Sequence, residues 1–355
     1  MKWTKEELNF IKERGAIASW EELLAGLRGK SKWAIAHQIR NQGIKRSGEV
    51  QNRRMAFNEV VETFISKIKS SKLEGLPKIK IERIKQGKGD EEEIVLVISD
   101  WQIGHKTRSF NAEVAKERVV YLLKSFLKTL ALHRLAYPIR KIHIFALGDF
   151  TQSELIGFKV DLSELEMVWG DQVLVADTLL EYLITEISKH FDEVYVYCVR
   201  GNHGKGMKGT SDKTNFDDIL YHLTAKAFKN NPRVHFNIAR EFYQIVNIYN
   251  WKFLLVHGDQ VRGGSYNIPL YALLQKMLRW ATSFMEKWNF MICGHWHNYG
   301  HLQQNNQELI VNGTLVSDDE FVRREYGWEC STLQVMFSVH PRKGITWVHR
   351  LKLLN

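Results

Sequence analysis

Cysteine is scarce in this sequence: Cys198, Cys293 and Cys330 are the only three in 355 residues. Their spacing forms no CxxC pair and no disulfide framework, so a reducing, cytoplasmic setting is expected. Long apolar runs are missing too. No stretch of about 18 apolar residues occurs, which excludes a membrane-spanning helix and makes a membrane partner unexpected. The opening MKWTKEELNF lacks the apolar core of a secretory signal. There are no internal repeats and no low-complexity segments. With 44% hydrophobic residues, the chain has the length and content for one large domain plus a small one.

Charge is unevenly placed. Residues 1–88 carry 20 Lys and Arg against 10 Asp and Glu, whereas residues 89–355 carry 30 of each, so the net +10 sits in the first quarter. A basic excess confined to one region points to a polyanion partner for that region. Residues 1–48 read as three short helices. Thr4 and Glu7 fit a capping box for the first, Ser19 and Glu22 for the second, and Ser31 caps the third, which Gly43 stops. Trp3, Trp20 and Trp33 are fairly evenly spaced. The third helix and its exit carry Lys32, Gln38, Arg40, Asn41, Lys45 and Arg46, residue types that reach phosphates and base edges. This arrangement resembles the small Myb-type or helix-turn-helix DNA-binding modules; a helical protein-interaction module is the alternative. Residues 49–90 follow as a connector, with a basic helix over 50–76, an alternating strand over 78–85 and a turn at Gly87–Asp90.

From 91 to 355 the pattern becomes strand, helix, strand, helix. Continuous apolar strands are expected at 94–98, 142–147 and 194–199, helices at 112–135, 163–190, 215–229 and 268–287, and strands at 242–249, 251–256 and 290–293. Hairpins are expected over 300–315 and 331–352. Apolar strands between helices predict an α/β sheet covered on both faces.

Five of these strands run into residues of metal-binding type: Asp100 in Ser-Asp-Trp-Gln-Ile-Gly-His, Gly148-Asp149, Gly201-Asn202-His203, His257-Gly258-Asp259 and Gly294-His295-Trp296-His297. Ligands of open α/β sheets bind beyond the carboxyl ends of strands. Two divalent cations about 3.5–4 Å apart clamp a phosphate and lower the pKa of a bound water, and they need a bridging carboxylate, hard oxygen ligands and imidazoles. Each cluster alone is weak, since a lone Gly-Asp is usually a turn; the five together, in this order, are specific.

As a set the clusters resemble the calcineurin-like metallophosphoesterases, over roughly 92–300. The resemblance implies a four-layer α/β/β/α sandwich. It also implies that Asp100, Asp149 and His297 hold one metal, that Asp149 bridges, and that Asn202, His257 and His295 hold the other. His203 would then sit beside the scissile phosphate. The sequence departs from the family pattern twice. Gln102 stands where a histidine is usual, as a poorer ligand or as a partner of a metal-held water. Gly204 replaces the acidic residue that often follows Asn-His, leaving the partner of His203 unidentified. His105, Lys205, Lys208 and Arg262 lie close enough in sequence to hold substrate phosphates. The tail around Asn312-Gly313-Thr314, Asp319-Glu320-Phe321 and His340-Pro341-Arg342 resembles phosphoesterases of bacteriophages and mobile elements, which would place the chain in a host cytoplasm. Manganese suits the mixed ligand set, with iron or zinc as alternatives.

These readings converge on a two-metal phosphodiester hydrolase, most simply a DNA nuclease delivered by its basic module. A protein phosphatase, a small-nucleotide phosphodiesterase and a non-enzymatic DNA-binding regulator are the alternatives, because fold alone does not choose a substrate.

Overall fold

The computed structural model describes residues 3–14, 20–44, 76–79, 87–154, 165–205, 214–261, 270–284, 286–320, 323–324, 327 and 329–353. The chain forms two compact units, Met1–Ser70 and Ser71–Asn355.

The first unit contains α1 (Lys5–Arg14), α2 (Trp20–Gly26) and α3 (Lys32–Asn41). Its first turn is fixed by a reciprocal capping box. Thr4 Oγ1 accepts from the Glu7 amide at 3.1 Å, and Glu7 Oε2 accepts from the Thr4 amide at 2.8 Å. Ser31 Oγ accepts from the Ala34 amide at 3.2 Å and opens α3; Gly43 follows its last turn at φ 68°. Ile11, Leu23, Leu27, Ile35 and Ile39 form the buried core of the three helices. Lys30 lies over the Trp3 ring and pairs with Glu7 at 3.3 Å, so its charge is used inside the module. Ser19 and the helix expected over 50–76 lie outside the described residues, as does most of the strand expected over 78–85.

The second unit is built on two sheets. The first has six strands in the order β11-β10-β1-β2-β3-β4. These are β1 (Glu93–Ile98), β2 (Lys141–Ala146), β3 (Glu193–Cys198), β4 (Val234–Ile238), β10 (Leu333–His340) and β11 (Gly344–Lys352). β1 to β4 run parallel, and β10 and β11 add an antiparallel hairpin beside β1. The second sheet has the order β5-β6-β7-β9-β8, from β5 (Tyr243–Ile248), β6 (Trp251–Val256), β7 (Phe290–Cys293), β8 (Gly300–Gln304) and β9 (Gln307–Val311). Its central strands β6, β7 and β9 are mutually parallel.

The strand period of two gives each sheet two apolar faces. Val95, Val97, Phe145 and Val335 of the first sheet pack with Val246, Phe253, Leu255 and Ile292 of the second as one inter-sheet core. Each such fully buried side chain contributes about 1.5–3 kcal/mol. The far side of the second sheet is covered by α7 (Leu270–Ser283), whose Leu273, Met277 and Trp280 pack on Leu254, Val256 and Met291. Against the first sheet lie α4 (Ala112–Arg134), α5 (Trp169–Ser188) and α6 (Phe216–Ala227), with α4 touching α5 and β11, and α6 touching α5 and β4. The result is helices, sheet, sheet, helix. Asn111 and Asn215 cap α4 and α6 through their side-chain oxygens. β4 was not among the expected strands. Its five residues alternate in burial at the edge of the sheet, so they lack the continuous apolar run that marks β1 to β3.

Candidate metal centre

Every cluster singled out in the sequence follows a strand that ends at one edge of the two sheets. Asp100 follows β1, Asp149 follows β2, Asn202 and His203 follow β3, His257 follows β6, and His295 and His297 follow β7. The backbone there is strained. Ten described non-glycine residues have positive φ, and Asp100, Gln102, Asp149, His295 and His297 are five of them. Such conformations cost roughly 1–3 kcal/mol each and persist where the surroundings over-determine them. Glycines allow the loops to approach. A Cβ on Gly201 would lie 2.0 Å from Asp149 Oδ1, and one on Gly294 would lie 2.4 Å from Asp100 Oδ2.

On one side, Asp149, His257 and His295 bring a ligating atom each within 4.8 Å of one another. His257 Nδ1 donates to Leu147 O at 2.6 Å, which points Nε2 inward. That nitrogen is 2.9 Å from Asp149 Oδ2 and 3.1 Å from Asn202 Oδ1. Three groups of donor type meet in this buried spot, and either a proton on His257 Nε2 or a cation between them balances the charge. Burial pulls the His257 pKa down, but Asp149 and then Asp100 outweigh it and push it up to about 10. Burial also opposes ionisation of Asp149, yet His257 and His203 hold its carboxyl below the usual range. The donor set of carboxylate, amide oxygen and imidazole therefore fits a divalent cation.

The other side is less complete. Both Asp100 oxygens accept from the His295 amide at 3.1 Å, and Asp100 Oδ1 is 3.6 Å from His297 Nε2. Burial, reinforced by Asp149, raises the Asp100 carboxyl to about 7, as expected for two buried carboxylates awaiting positive charge. Gln102 is 1% exposed. Its Nε2 lies 3.1 Å from His297 Nε2 and 3.4 Å from His203 Nε2, while its Oε1 is buried without a partner. Turning the amide end for end points that oxygen at the same imidazoles, so the residues on this side also fit a cation, through weaker donors. Burial pulls His297 down to about 4.

His203 is oriented at Nδ1 by a main-chain carbonyl rather than by a carboxylate. Its ring Nδ1 donates to the Gln152 carbonyl at 3.0 Å, and its backbone amide donates to Asp149 Oδ1 at 2.7 Å. A main-chain acceptor leaves no trace in a sequence. Asp217 was missed as well. Its Oδ2 accepts from the Asp149 amide at 3.0 Å and the Gly201 amide at 2.8 Å, and its Oδ1 accepts from the Phe150 amide at 3.1 Å. One turn on, Tyr221 donates to Val199 O at 2.9 Å. α6 thus ties the Gly-Asp loop to the Gly-Asn-His loop. The signal for Asp217 was its place two residues after the Asn215 cap, on a helix facing a cluster. A second group of donor type, His297, Asp319 and Cys330, lies within 4.8 Å.

The remaining candidates are spread out. His105 is 4% exposed, its Nδ1 is buried without a partner, and burial lowers its pKa. Lys205 pairs with Asp259 at 2.8 Å on the surface. Lys208 and Arg262 lie outside the described residues. In the first unit, Asn41 is exposed and meets His37 at 3.2 Å, and Gln38 is half-buried. Lys32 and Arg40 are on α3, but their side chains, like Lys45 and Arg46 altogether, are outside the described set.

Solved structures with a similar fold include Vacuolar Protein Sorting 29 from Cryptosporidium parvum, 15% identical, matched over 74% of this chain and 97% of that one with a TM-score of 0.37. A conserved uncharacterized predicted phosphoesterase from Streptococcus pneumoniae is 11% identical over 74% and 98%, TM-score 0.31. An archaeal phosphodiesterase is 10% identical over 72% and 99%, TM-score 0.33. No curated protein matches the chain. The family model for calcineurin-like phosphoesterases matches residues 94–313, more than half of the chain and all five clusters. The chain belongs to the calcineurin-like phosphoesterase family.

Proposed function

We propose that this protein is a two-metal phosphodiester hydrolase that cleaves DNA, with manganese as its metal. The observation that carries the hydrolase is the meeting of Asp149, Asn202 and His257 around one buried spot, at 2.9 and 3.1 Å from a ring nitrogen. Asn202, His257 and His295 would hold one cation, Asp100, Gln102 and His297 would hold the other, and Asp149 would serve both. Two such cations, when bound, would supply Lewis acidity to the phosphoryl group and a more acidic water. The chain's own residues do the rest. Asp217 and the Gly201 turn fix Asp149 between the two sides. His203, anchored through Nδ1, places Nε2 3.4 Å from Gln102 Nε2 and 3.9 Å from Asp149 Oδ2, where a proton it holds would pass to the leaving oxygen. Lys205, exposed and paired with Asp259, and His105, 4% exposed, are the side chains we assign to flanking phosphates.

DNA is favoured by the basic first quarter of the chain, because phosphate contacts supply most non-specific nucleic-acid affinity. The test is cleavage of single- and double-stranded DNA with defined ends, across a panel of divalent metals. Manganese-dependent cleavage that is lost in Asp149→Ala and His203→Ala supports the reading. Activity confined to phosphopeptides or cyclic nucleotides overturns the nuclease, and tight DNA binding without hydrolysis in any metal overturns the enzyme. Deleting residues 1–48 is expected to weaken DNA binding while leaving hydrolysis of a small chromogenic phosphodiester intact.

A further inference from the structure

The segment after β9 turns back over the Asp100 loop and is pinned there. Asn312 Nδ2 donates to Ser99 Oγ at 2.9 Å, and Thr314 Oγ1 donates to Asp100 O at 2.7 Å. Arg118 of α4, 1% exposed, donates to Leu315 O and, at 2.9 Å, to Ser317 Oγ. Thr107 Oγ1 donates to Ser317 O at 2.7 Å. Held over 314–317, the segment delivers Asp319, 7% exposed, to His297 and Cys330, with donor atoms of all three within 4.8 Å. From the other direction, the Ser331 amide donates to His297 O at 2.7 Å and brings Cys330 Sγ to 4.0 Å from His297 Nδ1.

His297 therefore has two faces. Its Nε2 looks toward Asp100 and Gln102; its Nδ1 looks toward the tail. We propose that Asp319 is a positioning residue for His297: its carboxylate keeps the ring proton on Nδ1, so the Nε2 lone pair stays aimed at the Asp100 side, and Cys330 closes the flank as a neutral thiol. This rests on the metal-centre reading above. A carboxylate behind a ligating imidazole fixes its tautomer and strengthens it as a donor, and removing that partner typically weakens metal binding about 10–100-fold. The side that relies on the neutral Gln102 is the side that gains most from such support.

Calorimetric titration of Mn2+ into the full chain tests the idea, with melting temperatures as the check on folding. Wild type is expected to bind two ions. Asp319→Asn is expected to lose about 10–100-fold in affinity at one step and nothing at the other. Asp319→Glu is expected to recover part of that loss, and Cys330→Ser to bind like wild type. Two wild-type affinities in Asp319→Asn overturn the inference and leave the metal centre standing. A wild-type chain that takes up no divalent cation overturns the metal-centre reading and this inference with it. Co2+ gives a second readout. A near-ultraviolet thiolate-to-metal band that vanishes in Cys330→Ser makes Cys330 a ligand and overturns the positioning role. If Asp319→Asn melts too early to titrate, Asp319→Glu decides: weakening at one step alone supports the inference, and two unchanged steps sink it.

Discussion

The two sides of the centre are built to different standards. Around His257, a ring whose tautomer is fixed by Leu147 O faces a carboxylate and an amide oxygen at 2.9 and 3.1 Å. Around His297, Nε2 meets the nitrogen of a neutral amide at 3.1 Å, and the carboxylate of Asp100 stands off at 3.6 Å. Both sides occupy the same kind of strained loop at the same edge of the sheets. Backbone architecture therefore does not set their strength; the charge and type of the donors do. A tight side and an exchangeable side sharing Asp149 is the expected consequence.

The sharpest way to break this comparison is to remove what the two sides share. Asp149→Ala is expected to abolish both Mn2+ steps in calorimetry and to lower kcat/KM on a chromogenic phosphodiester by about 10³-fold or more, roughly 4 kcal/mol. If one step survives at full affinity, Asp149 does not serve both sides. Asp217→Asn comes next. A carboxylate accepting three backbone amides becomes a group with one acceptor oxygen and an NH2 facing a donor, which costs about 1–3 kcal/mol. Urea unfolding should register the loss, and the His257 step should weaken more than the His297 step, because Gly201 and Asn202 sit on the loop that Asp217 holds. Equal weakening of both steps would mean that Asp217 acts on Asp149 alone.

Proton competition separates the sides by a smaller effect. Without metal, His257 keeps its proton up to about 10, through Asp149 and Asp100 acting against burial. An imidazole must be neutral to ligate, so binding on that side releases a proton. Affinity there is expected to rise about tenfold per pH unit from pH 7 to 9. On the other side burial holds His297 down at about 4 and raises Asp100 to about 7, so well above pH 7 neither group has much of a proton to lose. That step should be nearly flat from pH 7.5 to 9. Parallel slopes for the two steps would show that His257 enters the metal-free state already neutral.

Much of this architecture is readable in the sequence, and the exceptions share a cause. β1 and β3 carry unbroken apolar runs and β2 one broken only by His143, each followed within a few residues by Asp or Gly, and strands such as β1 and β2, buried on both faces, can look like little else. The ligand clusters stand out as a set, because Gly and Asp after a strand are ordinary singly and the five clusters together, in one order, are not. β4 was invisible because an edge strand buries one face and its pattern is diluted. Asp217, 68 residues from its partner Asp149, and the Gln152 carbonyl, 51 residues from His203, are defined by tertiary approach alone. Asp319 reaches the centre only because Arg118 and Thr107 pin the preceding segment, a dependence no local pattern encodes.

Gln102→His converts the weaker side toward the stronger. The position tolerates it: φ is 44°, and histidine is among the non-glycine residues enriched in that region. An imidazole is a better donor to manganese or zinc than an amide oxygen and, unlike glutamine, can be fixed in one orientation by a hydrogen bond at its other nitrogen. The substitution also removes the amide that now lies between His297 and His203. The expected result is a gain of about three- to tenfold in affinity at the weaker Mn2+ step, roughly 1 kcal/mol, with the stronger step unmoved. Hydrolysis of a chromogenic phosphodiester at limiting manganese should rise in proportion and converge with wild type at saturating metal. If both steps keep their wild-type affinities, Gln102 does not face the metal, and the weakness of that side lies in the stand-off of Asp100 from His297 instead.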